Sequence, residues 1–259
     1  MSAVRASLIL LLIASGGLKV SGAPNPSARK VVEPGPIVLI GGRHQDLPNE
    51  LRDRFFELAG GDKAKIVVIP TAVADAELKN PDKVLSPWRE LEPLSVKVLH
   101  TRDRTTADDP EFVKPLTEAT AVFLTNGHPD RIFDAYRGTL VEKELKRLHA
   151  RGGLVGGTGT GMAVLGDFVI WHKEPGFEPA LGLLTGFLLG DPDKEGLAAT
   201  VAAQPAHVGL GIEPGTAVVI RGKEMRVLGN GTVNVYLAKG ANQEARTDAF
   251  KSGDRLDRG

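Results

Sequence analysis

Apolar residues in this chain fall into short unbroken runs, each stopped by turn-forming residues and spaced to leave room for a helix. Ile37–Ile40 stops at Gly41-Gly42, Lys65–Ile69 at Pro70-Thr71-Ala72, residues 96–99 at His100-Thr101, and Ala121–Leu124 at Thr125-Asn126-Gly127. A fifth run, residues 153–155, leads into a dense glycine stretch. Runs rich in β-branched residues without polar alternation are those of strands covered on both faces, as in a parallel sheet. Between them the period changes to that of a helix. Residues 49–58 place Leu51, Phe55 and Leu58 on one face. Residues 140–148 place Leu140, Val141, Leu145 and Leu148 on another, with Glu142, Lys143, Glu144 and Lys146 outside. The alternation predicts an α/β fold with a mostly parallel central sheet flanked by helices in three layers.

Beyond Leu165 the pattern shifts to residues 168–171, 217–220, 225–228 and 233–236, separated by glycine-bearing turns. Arg221-Gly222-Lys223 and Gly229-Asn230-Gly231 suit hairpins. A β-rich, antiparallel C-terminal extension completing the same sheet is predicted. Residues 241–259 are polar and read as a disordered tail, which ends the domain near 240. At the other end, Arg5 precedes an apolar stretch over residues 7–14, too short to span a bilayer, and small residues follow it up to Gly22. Residues 1–22 therefore read as a signal peptide, and residues 23–36, with four prolines, as a linker to a domain over 37–240. Export to the periplasm or exterior follows, with no membrane attachment after cleavage.

The length of 259 residues suits one sizeable domain. Lys+Arg and Asp+Glu both total 32, so no net field favours nucleic acid or an anionic membrane. No cysteine is present, which excludes disulfides, thiolate metal ligands and a thiol nucleophile.

Ligands of open α/β sheets bind beyond the carboxyl ends of the strands. Gly41, Gly42, Asn126, Gly127, His128 and residues 157–161 all lie at such ends, so one shared crevice is expected. Residues 157–161 read GTGTG, between an apolar strand and the helix-like Met162-Ala163-Val164-Leu165. That layout is a nucleophile elbow, G-x-S-x-G, with Gly159 at the apex in place of a nucleophile. The stretch lacks the spacing of a dinucleotide loop, and no lysine follows as in a phosphate-binding loop. His44 and His128, with Asp46 or Asp130, form no tight metal-ligand motif, so neither metal nor cofactor is expected.

The segments IVLIGG, KIVVIPTA, AVFLTNGHPDRI, GTLVEKELKRLHARGGLVGGTGTGMAVLG, LGLLTG and VGLGIEPGTAVVIRGKEMRVLGNGTVNVY occur in this order over roughly residues 35 to 237. Together they resemble the cyanophycinase and dipeptidase E-like serine peptidases, which implies a class I glutamine-amidotransferase-like, flavodoxin-like fold. The resemblance also implies hydrolysis of β-linked aspartyl-arginine or N-terminal aspartyl peptides, by a serine in a G-T-S-A-G elbow. Here that serine position falls on Gly159 and the glutamine of a G-G-D-Q turn falls on Pro129. The third glycine of an opening Gly-Gly-Gly turn falls on Arg43, and no histidine occurs between Leu189 and Ala203, where the catalytic one is expected.

These departures lead to one expectation and one alternative. The chain is expected to be an exported relative that has lost serine-peptidase activity. Its crevice, with Gly41, Gly42, Asn126, Gly127, His128, Thr158 and Thr160 as candidates, is expected to bind a small peptide or amino-acid-like ligand, or a partner. A homodimer is expected by resemblance alone. The alternative is an active hydrolase with Thr158 or Thr160 as nucleophile and His128 as base.

Overall fold

A computed structural model describes residues 32–80, 82–170, 177–191, 195–240 and 244–257 of the chain. The expected signal peptide and the linker up to residue 31 lie outside the described residues. Where the description begins, Gly35 donates its N–H to the carbonyl of His149 at 2.7 Å, docking the incoming chain.

The five apolar runs are strands β1 (Ile37–Ile40), β2 (Lys65–Ile69), β3 (Ser95–Val98), β4 (Ala121–Leu124) and β5 (Leu154–Thr158). They lie side by side in the order β1-β5-β4-β2-β3, every neighbouring pair parallel. The connecting helices are α1 (Asn49–Ala59), α2 (Asp75–Leu78), α3 (Asp82–Arg89), α4 (Arg104–Ala107), α5 (Pro110–Glu118), α6 (Pro129–Tyr136), α7 (Leu140–Ala150) and α8 (Thr160–Ala163).

Alternating strand positions separate two cores, because successive side chains point to opposite faces. Val38, Ile40, Ile66, Val68 and Phe123 meet Leu51 and Phe55 of α1 and Val84, Leu85 and Trp88 of α3. Leu39, Val67, Ile69, Val122 and Leu124 meet the apolar faces of α5, α6 and α7. On the first side Phe55, Trp88 and Phe123 form a mutual aromatic cluster, with ring centroids 4.6 to 5.3 Å apart. The predicted apolar face of α7 is observed, with one difference. Glu144, expected outside, is only 7% exposed and pairs with Arg147. Helix α7 packs against α5, so its buried stripe is wider than the charge pattern implies.

The C-terminal extension divides between two sheets. Strands β10 (Thr216–Arg221) and β11 (Glu224–Gly229) form the predicted hairpin, and β10 joins β1 antiparallel. The others form a second, mainly antiparallel sheet: β6 (Phe168–Ile170), β7 (Phe177–Pro179), β8 (Phe187–Gly190), β9 (Val208–Ile212), β12 (Thr232–Leu237) and β13 (Arg246–Lys251). One face adds Phe187, Leu189, Leu210, Ile212, Val233 and Val235 to the second core. The other face is covered by α9 (Glu195–Ala203), through Leu197 and Val201.

The disordered tail expected over 241–259 is overturned where it is described. Strand β13 pairs with β12 along six residues, and β14 (Arg255–Asp257) pairs with β11 to complete an eight-stranded main sheet. The domain therefore extends past 240. The tail is polar because both strands lie at sheet edges and bury little, and Gly253, with φ of 93°, turns the chain between them.

Candidate functional site

The glycine stretch builds the predicted strand–turn–helix. Strand β5 continues to Thr158, Gly159 turns the chain, and α8 starts at Thr160. Two of the glycines are required by close approach. A Cβ on Gly157 would lie 2.6 Å from the carbonyl oxygen of Leu124, and one on Gly161 only 2.2 Å from the same oxygen. Strand and helix thus cross the end of β4 with backbones in contact. At Gly159, φ of 49° and ψ of −117° define a conformation that side-chain-bearing residues rarely adopt, the strained geometry of an elbow apex.

No room is kept for a side chain at that apex. A Cβ on Gly159 would stand 2.8 Å from the Gly42 carbonyl oxygen and 3.0 Å from Asn126 Cβ. Asn126 is itself held, since its Oδ1 accepts the His44 backbone N–H at 2.8 Å and lies 2.5 Å from His44 Nδ1. With that nitrogen protonated, the imidazole donates to the amide oxygen. The loops after β1 and β4 therefore form a collar around Gly159. Gly41 and Gly127 flank it: Gly41 follows Ile40, whose carbonyl accepts the Gly159 N–H, and the Gly127 carbonyl accepts the Thr160 hydroxyl. A Cβ on either would meet a backbone carbonyl, of Glu213 at 2.2 Å and of Ala72 at 2.1 Å. The structure thus brings together Gly41, Gly42, Asn126, Gly127 and residues 157–161.

The candidate hydroxyls are differently placed. Thr158 is fully buried, and its Oγ1 makes no hydrogen bond, so it faces the interior of the fold. Thr160 donates from Oγ1 to the Gly127 carbonyl at 2.6 Å, directing its proton to a backbone acceptor. His128 precedes Pro129 at the start of α6, its ring 56% exposed and its Nδ1 3.3 Å from Asp130 Oδ2. Residues 195–203 form α9 and bring no imidazole. The next histidine, His207, has Nε2 3.2 Å from Asp167 Oδ2, which also accepts the Gly186 N–H at 2.6 Å. That arrangement clamps together the loops that precede β6, β8 and β9. Among the described residues no group of three His, Asp or Glu side chains could hold a metal ion.

Two features escaped the sequence reading. The first lies at the ends of β2 and β3, where Thr71 Oγ1 is 2.6 Å from the Tyr136 hydroxyl and 3.0 Å from His100 Nδ1. Arg102 braces the same corner, donating to the carbonyls of Thr71 at 2.6 Å and Val73 at 2.8 Å and to Asp75. Burial, followed by the nearby Arg102 charge, holds the His100 pKa below its usual value, and burial raises that of Tyr136. The signal was the turn-forming triplet that ends each strand, Pro70-Thr71-Ala72 and His100-Thr101-Arg102, with its threonine. The second is a cavity of about 200 Å³ on the α1/α3 face, which shares His44 with the collar.

Comparison with known proteins agrees with this architecture. The profile of peptidase family S51 matches residues 37–228. A cyanophycinase of Geminocystis herdmanii is 28% identical over 216 residues, covering 77% of this chain and 79% of the relative. A cyanophycinase of a Nostoc species is 29% identical over 217 residues, covering 77% and 72% respectively. Among solved structures, a peptidase from an acI-B1 actinobacterium superposes with a TM-score of 0.71 at 21% identity, covering 88% of this chain and 98% of its own. A peptidase E-type protein from Listeria monocytogenes has a TM-score of 0.54 at 18% identity, covering 76% and 100%. The chain belongs to peptidase family S51.

Proposed function

We propose that this member of peptidase family S51 has lost serine-type hydrolysis and keeps its crevice to hold a small peptide or amino-acid-like ligand. The observation that carries this reading is the collar. Gly159 bears no nucleophile, and the space a side chain would take is closed by the Gly42 carbonyl and Asn126. The absence of an oxygen at the apex removes covalent catalysis, and only the modest contribution of binding and oriented N–H groups would persist. The neighbouring hydroxyls support the same reading, one buried and one directed to a carbonyl.

The deciding assay is release of product from cyanophycin, β-aspartyl-arginine and N-terminal aspartyl peptides. The expected result is no turnover above the rate without protein. Turnover that vanishes in Thr160→Val would establish the alternative, a hydrolase with a relocated nucleophile. Gly159→Ser is expected to remain inactive and to be less stable, since its Cβ enters the collar at a positive φ.

Export is the second part of the proposal. Sequencing the N-terminus of protein recovered outside the cytoplasm should find a start at Ala23. Full-length protein retained in the membrane fraction would overturn it.

A further inference from the structure

Asparagine followed by glycine is a pair at which a protein chain readily modifies itself. The main-chain nitrogen of the glycine attacks Cγ of the asparagine, and the new C–N bond closes a succinimide ring. The side-chain nitrogen leaves as ammonia, taking the proton of the glycine N–H. Water then opens the ring to aspartate or to isoaspartate, in which the main chain runs through the side-chain carbon. Glycine favours the step because no Cβ shields its nitrogen and its backbone turns freely. The chain has two such pairs, Asn126-Gly127 and Asn230-Gly231. The fold restrains a different reactant in each.

At Asn230-Gly231 the nucleophile is held. The pair turns the chain from β11 into β12, with Asn230 exposed. The Gly231 N–H donates to Thr216 Oγ1 at 2.8 Å. Its neighbours are tied to the same loop, the Asn230 N–H to the Gly215 carbonyl at 3.2 Å and the Thr232 N–H to Glu213 Oε2 at 2.7 Å. Thr216 is fully buried, and a Cβ on Gly231 would stand 2.5 Å from its Oγ1, so the nitrogen has little freedom to turn. At Asn126-Gly127 the electrophile is held instead. The Gly127 N–H meets no acceptor among the described residues. Asn126 Oδ1, in contrast, accepts the His44 N–H at 2.8 Å and lies 2.5 Å from His44 Nδ1.

From this contrast we propose that both pairs are latent sites of succinimide formation, guarded by Thr216 and Glu213 at one and by His44 at the other. Ring closure brings the glycine nitrogen onto Cγ, so each pair must first break its restraint. The rate in the folded protein then follows the population of locally opened chain. The two products do different damage. Isoaspartate at position 230 adds a methylene to the main chain just before Thr232, where β12 begins its pairing with β13. At position 126 it shifts Gly127 beside the collar and draws the His128 N–H away from the Ala72 carbonyl. Modification there therefore deforms the crevice itself.

The test is incubation of the full chain in mildly alkaline buffer, folded and in urea, followed by peptide mapping by mass spectrometry. Exchange of an amide for a carboxyl is read separately at the two asparagines. In the folded wild type both are expected to react at least about tenfold more slowly than in urea. Thr216→Val, which keeps the side-chain shape and removes the acceptor, should speed Asn230 at least about threefold and leave Asn126 unchanged. His44→Ala, which keeps the main-chain donor, should speed Asn126 at least about threefold and leave Asn230 unchanged. A variant that merely unfolds more often would speed both pairs alike. That outcome, equal rates in folded and urea-unfolded wild type, or variants that age as the wild type does would each overturn the proposal. The result is independent of the hydrolysis assay: turnover of β-aspartyl-arginine would end the proposed loss of activity and leave these guards untouched.

Discussion

Two corners of one sheet edge are built by opposite means. At the ends of β1, β5 and β4, the collar around Gly159 is mostly backbone packed on backbone, fastened by the Asn126 side chain to His44, and most of its glycines are there because a Cβ would meet a carbonyl. Two strands away, at the ends of β2 and β3, the corner is made of side chains: Thr71, Tyr136 and His100 in a hydrogen-bonded chain, braced by Arg102. Ala72 joins the corners, since its carbonyl accepts from both the His128 N–H and Arg131. The contrast shows that the elbow's geometry does not depend on a side chain at its apex. Its shape is a requirement of strand–helix packing, set by the close approach of Gly157 and Gly161 to the Leu124 carbonyl.

Substitutions can break that contrast, and the largest effect is expected in the collar. Gly161→Ala places a methyl 2.2 Å from the Leu124 oxygen, with no flexible side chain to give way. A loss of about 3 kcal/mol or more in urea unfolding is expected, in the range of severe overpacking. A loss below about 1 kcal/mol would mean the crossing yields and the collar is not rigid. In the other corner, Tyr136→Phe removes the acceptor of the Thr101 N–H and the partner of Thr71. A cost of about 1–2 kcal/mol is expected, typical of leaving buried groups unpaired. Thr158→Val removes a buried hydroxyl that bonds to nothing, so stability should be unchanged or raised by up to about 1 kcal/mol. A clear loss would reveal a bound partner for Thr158.

The smallest effect is a pH dependence peculiar to the side-chain corner. The folded state lowers the His100 pKa, so it disfavours the charged imidazole. Stability linked to this group is full above the unfolded value near 6.5 and is lost as pH falls through the lowered folded value. The difference in unfolding midpoint between the wild type and His100→Gln should therefore change with pH below about 6.5. It should stay constant above neutrality. A difference independent of pH across that window would show that His100 does not titrate against folding.

The parallel sheet, α1 and α7 were legible because buried strands and amphipathic helices leave periods that survive in one sequence. The elbow was legible because residues 157–161 combine a strand, alternating small residues and a helix start without the glycine spacing or lysine of a phosphate-binding loop. What the sequence hid is instructive. Asn126 and His44 are 82 residues apart, and no local pattern announces that they bond over Gly159. Glu144 looked like one more charge on a charged helix until α5 covered it. Residues 246–257 read as tail because an edge strand buries few side chains, which makes its composition resemble that of disorder.

Those last strands also cover one open edge of each sheet. Strand β13 lies over the open ladder of β12 and β14 over part of that of β11, and their residues include Arg246, Asp248, Lys251, Arg255 and Asp257. The chain thereby hems both sheets with a charged selvedge. Fraying it would bare hydrogen-bonding backbone on β11 and β12 together, leaving two seams along which neighbouring molecules could stitch into fibrils.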